Sequence, residues 1–234
     1  MKALLIADLD QTALKTKKAG FELWKFMLNY FGSRSSFEDE DDFARKTLLP
    51  WPCFLQVCDL HVEMSHDINT FAAEHVETFY REYASWFPFV LDAFHQIQDD
   101  PRLGLAFATN NVAPAFKHLL EDAGFGDVPL HDSLYTHPYK HKPKPDMIID
   151  HLPKFEEVSV VVVLGDSRAD LVCAMAANEV ATDATVYGSW AEYGSLRRPL
   201  DVHGMHQQDL RMRNERDVLS LPHKMYSLQK KINR

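Results

Sequence analysis

Residues 4–15 read LLIADLDQTALK, and this stretch decides the fold. The apolar run Ala3–Ala7 breaks off in two aspartates one residue apart, Asp8 and Asp10. An apolar run without polar alternation is the pattern of a strand covered on both faces, as in a parallel sheet. Two ionised carboxylates at its end repel each other, and burying them is costly unless something positive meets them.

Two more runs of the same kind follow, Leu103–Ala108 and Val158–Leu164. Each leads into a helical pattern: APAFKHLLEDAGF (113–125), with a stop at Gly124, and ADLVCAMAANEV (169–180). Strands alternating with helices predict an α/β fold with right-handed crossovers. The segment Lys15–Trp86 breaks that rhythm. FELWKFMLNYF (21–31) and INTFAAEHVETFYREYASWF (68–87) carry helical spacing and many aromatics, with the acidic stretch SRSSFEDEDDFARK (33–46) between them. It contains no strong strand candidate and reads as a helical module set into the sheet domain, which resumes at FPFVLDAFHQI (87–97). Phe21, Trp24, Phe26, Phe79, Tyr80 and Trp86 are expected to pack this module, with one or two facing a substrate. The run Lys15–Lys18 reads as a solvated hinge. The tail after Trp190 has no assignable pattern, apart from RMRNER (211–216), which is expected to be an exposed helix face.

The chain has 234 residues, 46% of them hydrophobic, which is enough for a full core. Its net charge of -9 argues against nonspecific nucleic-acid binding, which needs a basic surface. The three cysteines, Cys53, Cys58 and Cys173, are odd in number and show no CxxC spacing, which argues against a disulfide framework or a zinc site. Of the 12 histidines, His137 and His141 are separated by Pro138, so a histidine metal site is not expected. The apolar run at the start meets Asp8 too early for a signal peptide, and no run is long enough to span a membrane. The expected location is the cytoplasm.

Each strand-like run ends in chemistry-bearing residues: Asp8, Asp10 and Thr12 after the first, Thr109 and Asn110 after the second, Asp166 and Asp170 after the third. Ligands of open α/β sheets bind beyond the carboxyl ends of the strands, so these segments should converge. HKPKPD (141–146) adds Lys142. Asp8, Asp10 and Asp166 supply hard oxygen ligands, and Mg2+ suits a few carboxylates together with water and phosphate oxygens. With Lys142, the Thr109 hydroxyl and Asn110 at a helix start, the set makes a phosphate cradle.

These residues carry a resemblance to the phosphatase branch of the haloacid dehalogenase-like (HAD) superfamily. DLDQT (8–12) is similar to the family's DxDxT motif, FATN (107–110) to the hydrophobic run ending in Thr or Ser, KPKPD (142–146) to the lysine motif, and VVLGDSRAD (162–170) to GDxxxD. The resemblance implies a Rossmann-like three-layer core formed by residues 1–14 and 88–234, with residues 15–87 as an inserted helical cap. It implies a Mg2+-dependent phosphatase acting on a small phosphorylated metabolite. Asp8 would be the nucleophile and Asp10 the general acid and base. The metal would be held by Asp8, the main-chain carbonyl of Asp10, and Asp166. Asp170 would assist the metal or orient Lys142, while Thr109, Asn110 and Lys142 would bind the phosphoryl group. Two positions depart from the usual pattern: Gln11 stands where many relatives have Gly, and Asn178 where Ala-Gly is common. A phosphomutase of the same superfamily would keep every one of these residues. A catalytically idle binding protein on this scaffold is the alternative from another class.

Overall fold

The computed structural model describes residues 2–47, 49, 51–132, 145–193 and 210–232. Its centre is a six-stranded sheet with every pair parallel: β1 (Lys2–Ala7), β4 (Leu103–Thr109), β5 (Leu130–Asp132), β6 (Val158–Gly165), β7 (Thr185–Ala191) and β8 (Leu210–Met212). The order is β5-β4-β1-β6-β7-β8. The chain goes to one side of β1 for β4 and β5 and to the other for β6 to β8. The ends of β1, β4 and β6 therefore lie side by side at the switch point, where α/β sheets bind ligands.

The two sheet faces bury separate sets of side chains. Leu4, Ile6, Ala106, Val161 and Val163 pack with Met147 and Ile148 of α7 (Asp146–Ile149) and with Cys173, Ala174 and Ala177 of α8 (Arg168–Val180). Leu5, Leu105, Phe107, Val160 and Val162 share the larger cluster with α5 (Pro88–Gln98), α6 (Ala113–Asp122), α9 (Glu215–Leu219) and α10 (Leu221–Ile232). Burial on both faces is why the central strands show no polar alternation.

Between Leu14 and Trp86 the described residues form four α-helices, α1 (Lys17–Tyr30), α2 (Glu40–Lys46), α3 (Trp51–Val57) and α4 (Ser65–Tyr83), with a 3-10 turn at Val62–Met64. The chain leaves and re-enters through a two-stranded antiparallel ribbon, β2 (Leu14–Lys15) against β3 (Ser85–Trp86). The sequence showed no strand here, because two-residue strands have no periodicity to detect. α4 packs on both α1 and α6. The aromatic residues pack in two groups, one with Trp24 edge-on to Phe54 at 4.6 Å between ring centroids and one with Phe26 stacked on Phe71 at 5.5 Å.

The tail differs from expectation. Arg211 and Met212 of RMRNER lie in β8, an edge strand beside β7, not on an exposed helix face. Met212 is fully buried, and Asn214 caps α9 by accepting from the Asp217 N–H at 3.2 Å. α10 is fastened to the α5–β4 turn. Arg102 donates to both Asp100 oxygens (3.0 and 2.9 Å), Tyr226 O–H donates to the same carboxylate, and the guanidinium lies over the Tyr226 ring. No helix among the described residues is long and apolar enough to cross a membrane.

Candidate active site

Asp8 follows β1 directly. It is 7% exposed, and its N–H donates to the Leu164 carbonyl of β6 at 2.8 Å, so the backbone leaves the sheet still tied to the neighbouring strand. The next turn folds back: Ala13 and Leu14 both donate to the Leu9 carbonyl, at 3.0 and 2.9 Å. Gln11 takes φ = 55° in this turn, a backbone conformation in which glycine is relaxed and other residues are strained. This strain is the cost of having Gln instead of Gly at this position. Gln11 has a compensating use. With its side-chain oxygen turned toward α1, it accepts from the Thr16 and Lys17 N–H groups at 3.0 and 2.5 Å, capping a helix whose own N-cap side chain makes no such bond.

Asp8, Asp166 and Asp170 converge. One carboxylate oxygen from each lies within 4.8 Å of the other two, with Asp8 and Asp170 buried and Asp166 partly so. Thr12 sits among them, its hydroxyl 3.3 Å from Asp8 Oδ2 and 3.4 Å from Asp166 Oδ1. The Tyr193 hydroxyl donates to the Thr12 carbonyl at 2.7 Å and fixes that loop from beyond β7. Burial, reinforced by the charges of Asp166 and Asp8, pushes the Tyr193 phenol far up, so it remains a donor.

Asp170 has two attachments. It is the N3 residue of α8, and its Oδ2 accepts from the N–H (3.0 Å) and hydroxyl (2.5 Å) of the N-cap Ser167, closing a capping box. Helix capping and membership of the acidic cluster are both properties of this side chain. Gly165 makes room for it: a Cβ there would sit 2.1 Å from Asp170 Cγ. Three hard oxygen donors gathered over a glycine cradle fit a small divalent cation such as Mg2+.

The Asp10 carboxylate is not part of that acidic cluster. Its Oδ1 accepts from the Tyr80 hydroxyl of α4 at 2.9 Å and its Oδ2 from Asn111 Nδ2 at 3.0 Å. Asn111 Nδ2 also donates to the Tyr80 oxygen at 2.8 Å. Burial, followed by the charge of Asp10, raises the Tyr80 pKa well above that of an ordinary phenol, so its proton stays in place.

Thr109 ends β4, is 1% exposed, and accepts from the Asn111 N–H at 3.1 Å, leaving its own O–H to donate. Asn110 is exposed and lines the cavity over the cluster. Helix α6 does not begin at Asn110. It begins at Ala113, whose N–H is taken by Asp132 at 2.8 Å, while Asn111 Oδ1 accepts from Val112 N–H at 2.8 Å. Lys142 lies outside the described residues, as do His137 and His141.

A family model for haloacid dehalogenase-like hydrolases matches residues 5–182. The chain belongs to the haloacid dehalogenase-like hydrolases. Solved structures share the fold at low identity. A provisionally named phosphoglycolate phosphatase from Lactobacillus plantarum is 19% identical, with 94% of this chain and 100% of that one covered and a TM-score of 0.67. A provisionally named beta-phosphoglucomutase from Thermotoga maritima is also 19% identical, covering 96% and 99%, with a TM-score of 0.62. CbbY from Rhodobacter sphaeroides, solved in complex with phosphate, is 16% identical over 92% and 95%, with a TM-score of 0.67. No curated protein matches the chain by sequence.

For this haloacid dehalogenase-like chain, sequence reasoning missed the hold on Asp10. Tyr80 was one aromatic among many on a helical stripe, and its contact partner is 70 residues away. Asn111 stood beside Asn110 in ATNN with nothing local to tell the two amides apart. The other departure, Asn178, has a structural use: its Oδ1 accepts from the Val186 N–H at 2.8 Å and ties α8 to the start of β7.

Proposed function

We propose that this protein is a Mg2+-dependent phosphatase that hydrolyses a small phosphate monoester through a phosphorylated Asp8. The observation that supports it best is the separation of two neighbouring aspartates into different environments. Asp8 lies in a carboxylate cluster fit for a cation, while Asp10 is turned away onto two neutral donors, Tyr80 and Asn111. Two carboxyl groups in unlike surroundings can take the separate roles of nucleophile and proton carrier.

Asp8, Asp166 and Asp170 would hold the ion, with the Asp10 main-chain carbonyl. When bound, the ion supplies positive charge that offsets the carboxylates and the phosphoryl oxygens. An Asp8 carboxylate oxygen attacks phosphorus, the bond from phosphorus to the leaving oxygen breaks, and Asp10 gives that oxygen its proton, releasing an alcohol. Water then attacks the phosphoryl group on Asp8, Asp10 takes the water's proton, and inorganic phosphate leaves with Asp8 restored. The Thr109 hydroxyl and the Asn110 amide donate to phosphoryl oxygens. Lys142 is assigned to the same task from its motif alone. Residues 15–87 act as a cap, attached through the ribbon of Leu14–Lys15 and Ser85–Trp86, that excludes water and contacts the leaving group.

The test is a panel of phosphate esters assayed with Mg2+ and with EDTA, following both phosphate release and isomer formation. Phosphate release that needs the metal is the expected result. Isomer formation dependent on a bisphosphate sugar would instead make the protein a phosphomutase. Full activity after exhaustive chelation would remove the metal from the account.

A further inference from the structure

The site opens into a cavity of about 450 Å3 between the strand ends and helices α1 to α4. Its two ends differ in chemistry. The floor is polar, formed by Asp8, Asp10, Thr109, Asn110 and Asp166. The opposite walls are mostly apolar: Trp24, Phe43, Trp51 and Val76 line them, with Asn69 and Thr47 as polar neighbours, and Ala72 and Ala73 on α4 leave space where larger side chains would fill it. The walls are braced from behind, with Trp24 edge-on to Phe54 at 4.6 Å and Phe43 edge-on to Phe37 at 5.1 Å.

Among the described lining residues the only cation is Lys17, and its ammonium is 2.6 Å from Asp41 Oδ1. No arginine is among them. A carboxylate or second phosphate on the leaving group would be desolvated against aromatic rings without a cation of its own, which is costly. A sugar would bring several hydroxyls against Trp24, Phe43, Trp51 and Val76, where only Asn69 and Thr47 stand near as polar partners, and each unmatched hydroxyl costs binding.

We infer that the leaving group of the substrate is apolar: the substrate is a phosphate monoester of an aryl or straight-chain alkyl alcohol, with the phosphate on the aspartate floor and the hydrocarbon among the cap aromatics. This rests on the phosphatase reading and narrows it to a substrate class.

The test is kcat/KM, with Mg2+, for n-alkyl phosphates from methyl to octyl and for phenyl phosphate, compared with glycerol phosphate, glucose phosphate and phosphoglycolate. The expected result is a rise of about three- to fourfold per methylene until the cavity is full, with the polar esters at the methyl level or below. A profile flat in chain length, or preference for a polar ester, overturns the inference while leaving the phosphatase reading intact. Hydrolysis of none of these esters overturns the phosphatase reading. The pocket is then decided by binding of n-alkyl phosphonates followed by tryptophan fluorescence, where a Kd independent of chain length overturns it and a Kd that tightens with each methylene supports it. Thr47 is exposed at the cavity mouth, at the end of α2. Thr47→Arg adds a cation at the mouth without burying it and should raise the phosphoglycolate-to-hexyl phosphate ratio at least about tenfold. An unmoved ratio in the folded variant counts against the inference.

Discussion

Tyr80 on α4 donates its hydroxyl hydrogen to Asp10 at 2.9 Å and so places a residue of the helical segment on a carboxylate of the strand-end site. Asn111, from the loop after β4, holds the other oxygen of the same carboxylate. The phenol ring also packs edge-on against Phe116 of α6, with centroids 5.5 Å apart. If Asp10 is the proton carrier, its orientation is therefore set by the seating of α4 as well as by the core.

Tyr80→Phe removes that hydroxyl while keeping the ring contact with Phe116. A hydrogen bond to a charged group is worth about 1.5–3 kcal/mol, so kcat/KM for alkyl phosphates should fall by about ten- to a hundredfold. Esters with good leaving groups, such as p-nitrophenyl phosphate, need less help from the acid and should lose much less. Steady-state kinetics on both classes reads the difference. No loss on either class would show that Tyr80 acts only through packing, and equal losses would show that its hydroxyl does not act through the Asp10 proton.

Gly165→Ala should be among the most damaging small changes in the core. The added methyl would fall 2.1 Å from Asp170 Cγ and 2.4 Å from its Oδ2, so the Asp170 carboxylate must move. Both the capping box of α8 and the carboxylate cluster then suffer. The expected outcome is a loss of about 1–3 kcal/mol of stability and a rise of at least about tenfold in the Mg2+ needed for half-saturation. Thermal unfolding with and without Mg2+ checks the metal site independently of turnover. An unchanged Mg2+-dependent shift in Tm would dissociate Asp170 from the metal.

The strands legible in the sequence were those that the sheet buries on both faces. Apart from Lys2 and Val158, every residue of β1, β4 and β6 is buried, so the body of each strand reads as an apolar run. β5 and β8 have three residues each, too few for a period, and β7 mixes Tyr187, Ser189 and Trp190 around Gly188. In the site, Asp8, Thr109, Asp166 and Asp170 were legible because each follows or ends such a run at a fixed offset, and the structure brings them to one end of the sheet. Tyr80 and Asn111 were not, because their pairing with Asp10 is tertiary and leaves no local pattern. Gln11 was flagged only as a departure from the family, and its positive φ supplies the reason.

His151 makes stability fall in mild acid. It is fully buried, and its Nε2 lies 3.0 Å from the Phe107 carbonyl, which can only accept, so Nε2 carries the hydrogen. Burial pushes the imidazole pKa from 6.5 down to about 4. The unfolded chain therefore takes up a proton that the folded chain refuses in this window. The contribution is complete above about pH 6.5 and is lost as pH falls toward about 4, for a total of about 3 kcal/mol. His151→Gln keeps an N–H for the carbonyl but does not titrate. Urea unfolding from pH 7 to 4 should show a shallower loss in this variant, and parallel profiles would remove His151 as the cause.

The covalent step is the centre of the account, and acid-quenched intact-protein mass spectrometry with peptide mapping tests it most directly. With Mg2+ and phenyl phosphate, a single phosphoryl adduct on Asp8 should form. It should accumulate in Asp10→Asn, where its hydrolysis is slowed, and be absent in Asp8→Asn, where the nucleophile is gone. Steady phosphate release with no adduct at any quench time in the Asp10→Asn chain, or an adduct that persists in Asp8→Asn, would contradict the account.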